Sequence, residues 1–114
     1  MPEPQLAYTV HPGNGPYLAM LHGFLSSSAQ WQHNLDALSA VCRPVTIDLW
    51  GHGDSPAPSE QKHYTPEAYI EALSQVRHAL GADTWFVCGY SIGAGITIRY
   101  THEYPHHVLG HIFT

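Results

Sequence analysis

Trp85-Phe86-Val87-Cys88-Gly89-Tyr90-Ser91-Ile92-Gly93-Ala94-Gly95-Ile96 is the stretch that decides the fold. Trp85 to Tyr90 is an apolar, strand-forming run, and Ile92 to Tyr104 has the character of a helix. Between them, Gly89-Tyr90-Ser91-Ile92-Gly93 matches G-x-S-x-G in the strand–turn–helix setting that gives this pattern its meaning. A serine at so sharp a turn must take up a strained backbone, at a cost of about 1–3 kcal/mol. Gly89 and Gly93 let strand and helix approach without a Cβ clash. Gly93 and Gly95 would each cost a helix about 1 kcal/mol relative to Ala. Close packing is the expected reason that both are there.

The same turn implies chemistry. Ser91 stands at a helix N-terminus, where free amides and the helix dipole favour a developing negative charge. The Ile92 amide is then one oxyanion donor, and a second is expected from the loop after an earlier strand. Tyr17–Leu21 is that strand, preceded by the turn Gly13-Asn14-Gly15-Pro16 and followed by His22-Gly23-Phe24. Gly23 permits the turn, and the Phe24 amide is the candidate donor. His22 reads as a structural hydrogen-bonding residue rather than a base.

Further outward, Trp31, Leu35 and Leu38 recur at helical spacing from Ser27, and Ser27 with Gln30 fits a capping box. Val41 to Leu49 reads as a strand. The Gly-, Pro- and Ser-rich run from Trp50 to His63 reads as a loop, with Asp48-Leu49-Trp50-Gly51-His52-Gly53-Asp54-Ser55 shaping its start. Thr65 caps the next helix, Pro66 occupies its first turn, and Glu67 complements its dipole. Tyr69, Leu73, Val76 and Leu80 form the apolar stripe of that helix, and Gly81 ends it. Val108 to Thr114 reads as a last strand. Strands alternating with helices predict an α/β fold: one domain, mostly parallel sheet, helices on both faces. A bare apolar strand at the end of such a sheet would leave an unpaired edge, the first sign of a truncated domain.

Composition narrows the function. The chain has 114 residues, a hydrophobic fraction of 44% and a formal charge of −5 from four basic and nine acidic side chains. No basic stripe exists to meet nucleic acid or an anionic membrane surface, so neither is an expected partner. No apolar run reaches the roughly 18 residues of a membrane span, and Met-Pro-Glu-Pro-Gln has none of the layout of a signal peptide. Cys42 and Cys88 read as small buried hydrophobes in a reducing compartment, which points to the cytoplasm. The ten histidines follow no metal-ligand spacing, and His102, His106 and His107 share a helical face only if a helix ran through Pro105. Neither a metal nor a cofactor is expected. A small-molecule substrate is, and the oligomeric state stays open.

In order along the chain, His22-Gly23-Phe24-Leu25, Asp48-Leu49-Trp50-Gly51-His52-Gly53-Asp54-Ser55, Gly89-Tyr90-Ser91-Ile92-Gly93 and Tyr104-Pro105 together resemble the α/β-hydrolase superfamily. The resemblance covers essentially the whole chain and is specific for fold rather than substrate. It implies a sheet of about eight strands and the triad order Ser, acid, His. This chain would supply the strands commonly numbered three to six and part of what precedes them, with the acid, the histidine and the lid beyond Thr114. It also implies a serine-dependent hydrolase of a small ester or related acyl substrate, with Ser91 as nucleophile and the Phe24 and Ile92 amides as oxyanion hole. His22, Gly23, Gly89 and Gly93 support the motifs. Haloalkane dehalogenases and epoxide hydrolases use Asp at the nucleophile position, which disfavours both. The His-Gly-Phe-Leu and Gly-Tyr-Ser spellings also look like the pyruvate-eliminating synthase of menaquinone biosynthesis. That enzyme carries an Arg where this sequence has Gly95. Carbon–carbon bond hydrolases and a non-catalytic binding pseudoenzyme are the remaining alternatives. Without a base, Ser91 stays a protonated alcohol, so the 114-residue chain alone is expected to be inactive and marginally stable.

Overall fold

The computed structural model describes residues 4–113. Among them, five strands form one sheet: β1 (Tyr8–Val10), β2 (Tyr17–Leu21), β3 (Arg43–Ile47), β4 (Trp85–Gly89) and β5 (Val108–Phe113). Their order is β1-β3-β2-β4-β5, with β1 antiparallel to β3 and the other pairs parallel. Alternate residues of β2 enter opposite layers, as the period of two in a strand requires. Ala19 and Leu21 join Val45, Ile47 and Val87 beneath helices α2 (Pro66–Ala79) and α3 (Ile92–Glu103). Leu18 and Met20 meet Trp31, Cys42 and Cys88 on the other face, with the short helix α1 (Leu35–Leu38) packed there. The expected mostly parallel sheet with helices on both faces is the one observed.

Helix α2 follows its sequence signals closely. Thr65 Oγ1 accepts the Ala68 amide at 3.2 Å, Pro66 opens the first turn, and Gly81 takes φ 68° just past the end. Tyr69, Leu73 and Val76 are buried as the stripe predicts, and Leu80 packs partly against the same cluster.

Other expectations are corrected. The helix expected from Ser27 is a 3-10 turn, Ser28–Trp31, followed by the separate four-residue α1. Ser27 Oγ accepts the Ala29 amide at 3.2 Å, but Gln30 closes no capping box: its Oε1 accepts the Gly23 amide at 3.0 Å. The Ser28 amide is meanwhile claimed by Asp48 Oδ1 at 2.7 Å, so long-range partners override the local cap. The strand expected over Val41 to Leu49 is shorter, because the Cys42 amide closes the end of α1 on Leu38 O at 2.9 Å and Val41 is exposed. Strand β1 was not expected; its three side chains are all exposed, so no alternation betrays it. Tyr90 and Tyr104 fall just outside their elements, and Thr114 lies outside the described residues. Cys42 and Cys88 are buried, free thiols.

Candidate active site

From β2 the chain passes to β3 on one side and then, through α2, to β4 on the other. Loops leaving β2 and β4 therefore diverge at the carboxyl ends of these strands, the place where open α/β sheets bind ligands. His22-Gly23-Phe24 leaves β2 at that point and Ser91 follows β4. The register pairs Leu21 with Gly89, and the Tyr90 amide donates to Leu21 O at 3.1 Å.

Ser91 has φ 56° and ψ −116°, and its exposed side chain caps no helix amide. An L-residue held there stores about 1–3 kcal/mol of strain. The glycines around it explain how strand and helix come so close. A Cβ on Gly93 would fall 2.6 Å from Leu21 O and 2.7 Å from His22 O, and one on Gly89 would strike Gly93 O and Thr97 Oγ1. Gly23 is similarly confined, since its Cβ would lie 2.8 Å from Tyr90 Cδ1 and 3.6 Å from Ser91 Cβ. The structure thus brings the His-Gly-Phe segment against the serine turn. Gly95 corrects the expectation of close packing at both helix glycines: nothing lies within 4 Å of its Cβ position. At the start of α3 the Gly93 amide donates to Tyr90 O at 2.9 Å, and Ile92 precedes it at the first helical position. Amides of a first turn lack an intrahelical acceptor.

His22 is fully buried. Its Nε2 accepts the Leu49 amide at 2.9 Å, so the proton sits on Nδ1, which donates to Gly23 O at 2.7 Å. Burial pushes its pKa down, the Gly23 carbonyl pulls it up, His52 lowers it further and Asp48 opposes; the net shift is downward. Asp48 shapes the neighbouring loop. One carboxylate oxygen accepts both the amide and the hydroxyl of Ser28, and the other accepts the Asp54 amide at 3.0 Å. Burial alone would raise the Asp48 pKa, but these bonds, with His22 a smaller contribution, hold it below the ordinary value.

Both shifts make the loops acid-labile. Below the ordinary histidine value of about 6.5, the unfolded chain protonates at position 22 before the folded chain does. Below about 3.9, the same holds at Asp48. In each window the unfolded state binds more protons, so stability falls as pH falls. The urea midpoint of unfolding is therefore expected to drop in two stages on acidification. Asp48→Asn should flatten the lower stage, and an unchanged lower stage would count against the Asp48 assignment.

Two residues that hold the His-Gly-Phe segment escaped the sequence reading. Gln30, spaced like a capping residue, instead binds the Gly23 amide. His52 was taken only as part of a loop, although its Nε2 accepts the Leu25 amide at 3.0 Å. A polar residue repeated among glycines was the only hint of the second. Both ring nitrogens of His22 and of His52 are engaged by backbone groups, and His111 Nε2 lies 2.8 Å from Thr97 Oγ1. Among the described residues, no group of three or more His, Cys, Asp or Glu could hold a metal ion, and no helix is long and apolar enough to cross a membrane.

A family model described as the alpha/beta hydrolase fold matches residues 16–114. A 1-acylglycerol-3-phosphate O-acyltransferase of Arabidopsis thaliana is 30% identical over 96 residues, covering 82% of this chain and 23% of that protein. The crystal structure of an epoxide hydrolase from Bacillus megaterium with its product is 31% identical, with a TM-score of 0.88 over 95% of this chain and 38% of that one. A marine microorganism esterase superposes with a TM-score of 0.89 at 22% identity, covering 97% and 41% of the two chains, a likeness of fold alone. The chain thus spans about a quarter of the length of the curated relatives it matches.

Proposed function

Because the chain belongs to the alpha/beta hydrolase fold family, we propose that it supplies the nucleophile and oxyanion pocket of a serine-dependent hydrolase acting on a small ester or related acyl substrate. The observation that carries this reading is an exposed serine at φ 56°, at the head of α3, with the Gly23 turn packed beside it. Ser91 Oγ attacks the carbonyl carbon while the amides of Ile92 and Phe24 receive the negative charge that develops on oxygen. Collapse expels the alcohol and leaves an acyl-serine, which water hydrolyses. A histidine base, expected from the family resemblance after a later strand, takes the Ser91 proton and returns it to the leaving group, while its carboxylate partner orients the ring and stabilises the imidazolium. His22 and His52, each bonded to backbone groups through both ring nitrogens, are not available for that task.

Phe24, Leu25, Tyr90 and Ile92, all exposed, give the mouth of the site an apolar rim suited to an acyl chain or an aromatic leaving group. Serine chemistry also separates this site from epoxide opening. A serine that opened an epoxide would form an ether, which water does not cleave, whereas an acyl ester turns over. Similarity to an acyltransferase fits the same intermediate, released to an alcohol instead of water.

Treating the full-length protein with a fluorophosphonate probe, followed by peptide mapping, tests the proposal. Label is expected on Ser91 and nowhere else. A protein that hydrolyses p-nitrophenyl acetate without taking label at Ser91 would refute it.

A further inference from the structure

We propose that His52 is a positioning residue for the oxyanion segment, holding the Leu25 amide so that the neighbouring Phe24 amide is aimed at the reacting oxygen. This rests on the roles assigned above to Ser91 and Phe24.

Among the described residues, Leu25 and Ser91 are the non-glycine residues with positive φ, at 61° and 56°. For Ser91 the tight strand-to-helix connection accounts for the strain. Leu25 is the third residue of the turn Gly23–Ser26, and its side chain is 84% exposed, so apolar packing does not hold it in the left-handed region. Beside the turn bond, a second restraint is its amide, which donates to His52 Nε2 at 3.0 Å across loops 27 positions apart. Because Nε2 accepts, the ring proton lies on Nδ1, and Nδ1 donates to Trp50 O at 3.0 Å. The imidazole is therefore fixed at both nitrogens in one neutral tautomer. Its faces and edges are fixed too, by the His22 ring at 5.1 Å and the Phe24 ring at 5.7 Å between centroids.

On the other side of Phe24, the Gly23 amide donates to Gln30 Oε1 at 3.0 Å. The turn closes on itself through the Ser26 amide and Gly23 O at 3.2 Å. The amides at 23 and 25 are thus pinned by side chains from the Ser28–Trp31 turn and the loop after β3, and the amide between them is the one left for a substrate oxygen. A donor aimed in advance is what makes an oxyanion hole effective, since no reorganisation is needed during the reaction. Loss of the His52 clamp releases the strained Leu25 and lets the Phe24 amide wander. Substrate binding, which depends on the apolar rim, is little affected.

The test compares wild type, His52→Ala, His52→Gln and Ser91→Ala in the full-length protein, with p-nitrophenyl acetate as substrate. Removing one oxyanion donor outright costs about 100- to 1,000-fold in kcat. His52→Ala, which misdirects the donor without deleting it, is expected to lower kcat by about 10- to 100-fold on that scale, with KM changed less than about twofold. His52→Gln, whose Oε1 can accept the Leu25 amide, is expected to recover most of that loss. Wild-type kcat in His52→Ala, or a loss that appears in KM alone, overturns the proposal while leaving Ser91 untouched. Failure of glutamine to recover activity does the same. Hydrogen exchange at the Leu25 amide reads the clamp without catalysis: faster exchange in His52→Ala is expected, and unchanged protection overturns the proposal. Turnover that survives Ser91→Ala is a different result, which removes the serine mechanism and the catalytic part of this inference with it.

Discussion

Ser91→Ala in the full-length protein is expected to lower kcat/KM for an activated ester by about 10,000-fold or more, with the protein still folded. The size follows from what is lost. On the proposed mechanism no acyl-enzyme forms without Oγ, and only the general advantage of binding and of the oxyanion amides remains, which elsewhere leaves about 1,000- to 10,000-fold over water. The retained fold follows from the geometry, because the hydroxyl caps no helix amide and the side chain is exposed. Ser91→Gly sharpens the test. At φ 56° and ψ −116° glycine is at home where serine is strained, so this variant should be equally inactive yet more stable, by about 1–3 kcal/mol. A rise in Tm together with lost turnover would show that the turn is kept under strain for the sake of its hydroxyl. Ser91→Gly less stable than wild type would mean that the side chain supports the fold, and the nucleophile reading would lose its physical basis.

Where local chemistry dictates structure, the sequence was a good guide. Thr65, Pro66 and Gly81 each act through atoms within a few residues, and α2 begins and ends where they place it. The serine turn was legible for the same reason, since Gly89 and Gly93 flank it at the spacing that a strand meeting a helix demands. Ser27 and Gln30 looked equally local and were misleading. Their region is organised by Asp48 and Gly23, 20 and seven positions from their partners, and such bonds leave no periodic trace. Strand β1 was invisible because an exposed three-residue edge strand has no buried face to impose alternation. The second layer of the site, Gln30 and His52, was hidden on the same principle. Each is an ordinary polar side chain whose importance comes from the amide it happens to reach.

Gly93 and Gly95 stand two positions apart in one helix, and alanine is expected to act on them in opposite directions. At Gly95 the Cβ would enter open space, so Gly95→Ala should raise stability by up to about 1 kcal/mol, the difference in helix propensity. At Gly93 the same methyl group would lie 2.6 Å from Leu21 O and 2.7 Å from His22 O. Both are backbone oxygens at the end of β2, and neither can swing aside as a flexible side chain would. Relief requires α3 to lift away from the sheet or the end of β2 to move, and overpacking of this kind costs about 1–3 kcal/mol or more. Because no flexible neighbour can give way, Gly93→Ala should fall at or beyond the top of that range, even after the gain in propensity. Urea denaturation of the two variants beside wild type measures both. The functional effect should be larger still. Lifting α3 carries Ser91 and the Ile92 amide away from the Phe24 segment, and a displacement of about 1 Å can cost about 100-fold in rate. If Gly93→Ala were as stable and active as wild type, the close contact between helix and strand would not be what holds Ser91 against the proposed oxyanion donors.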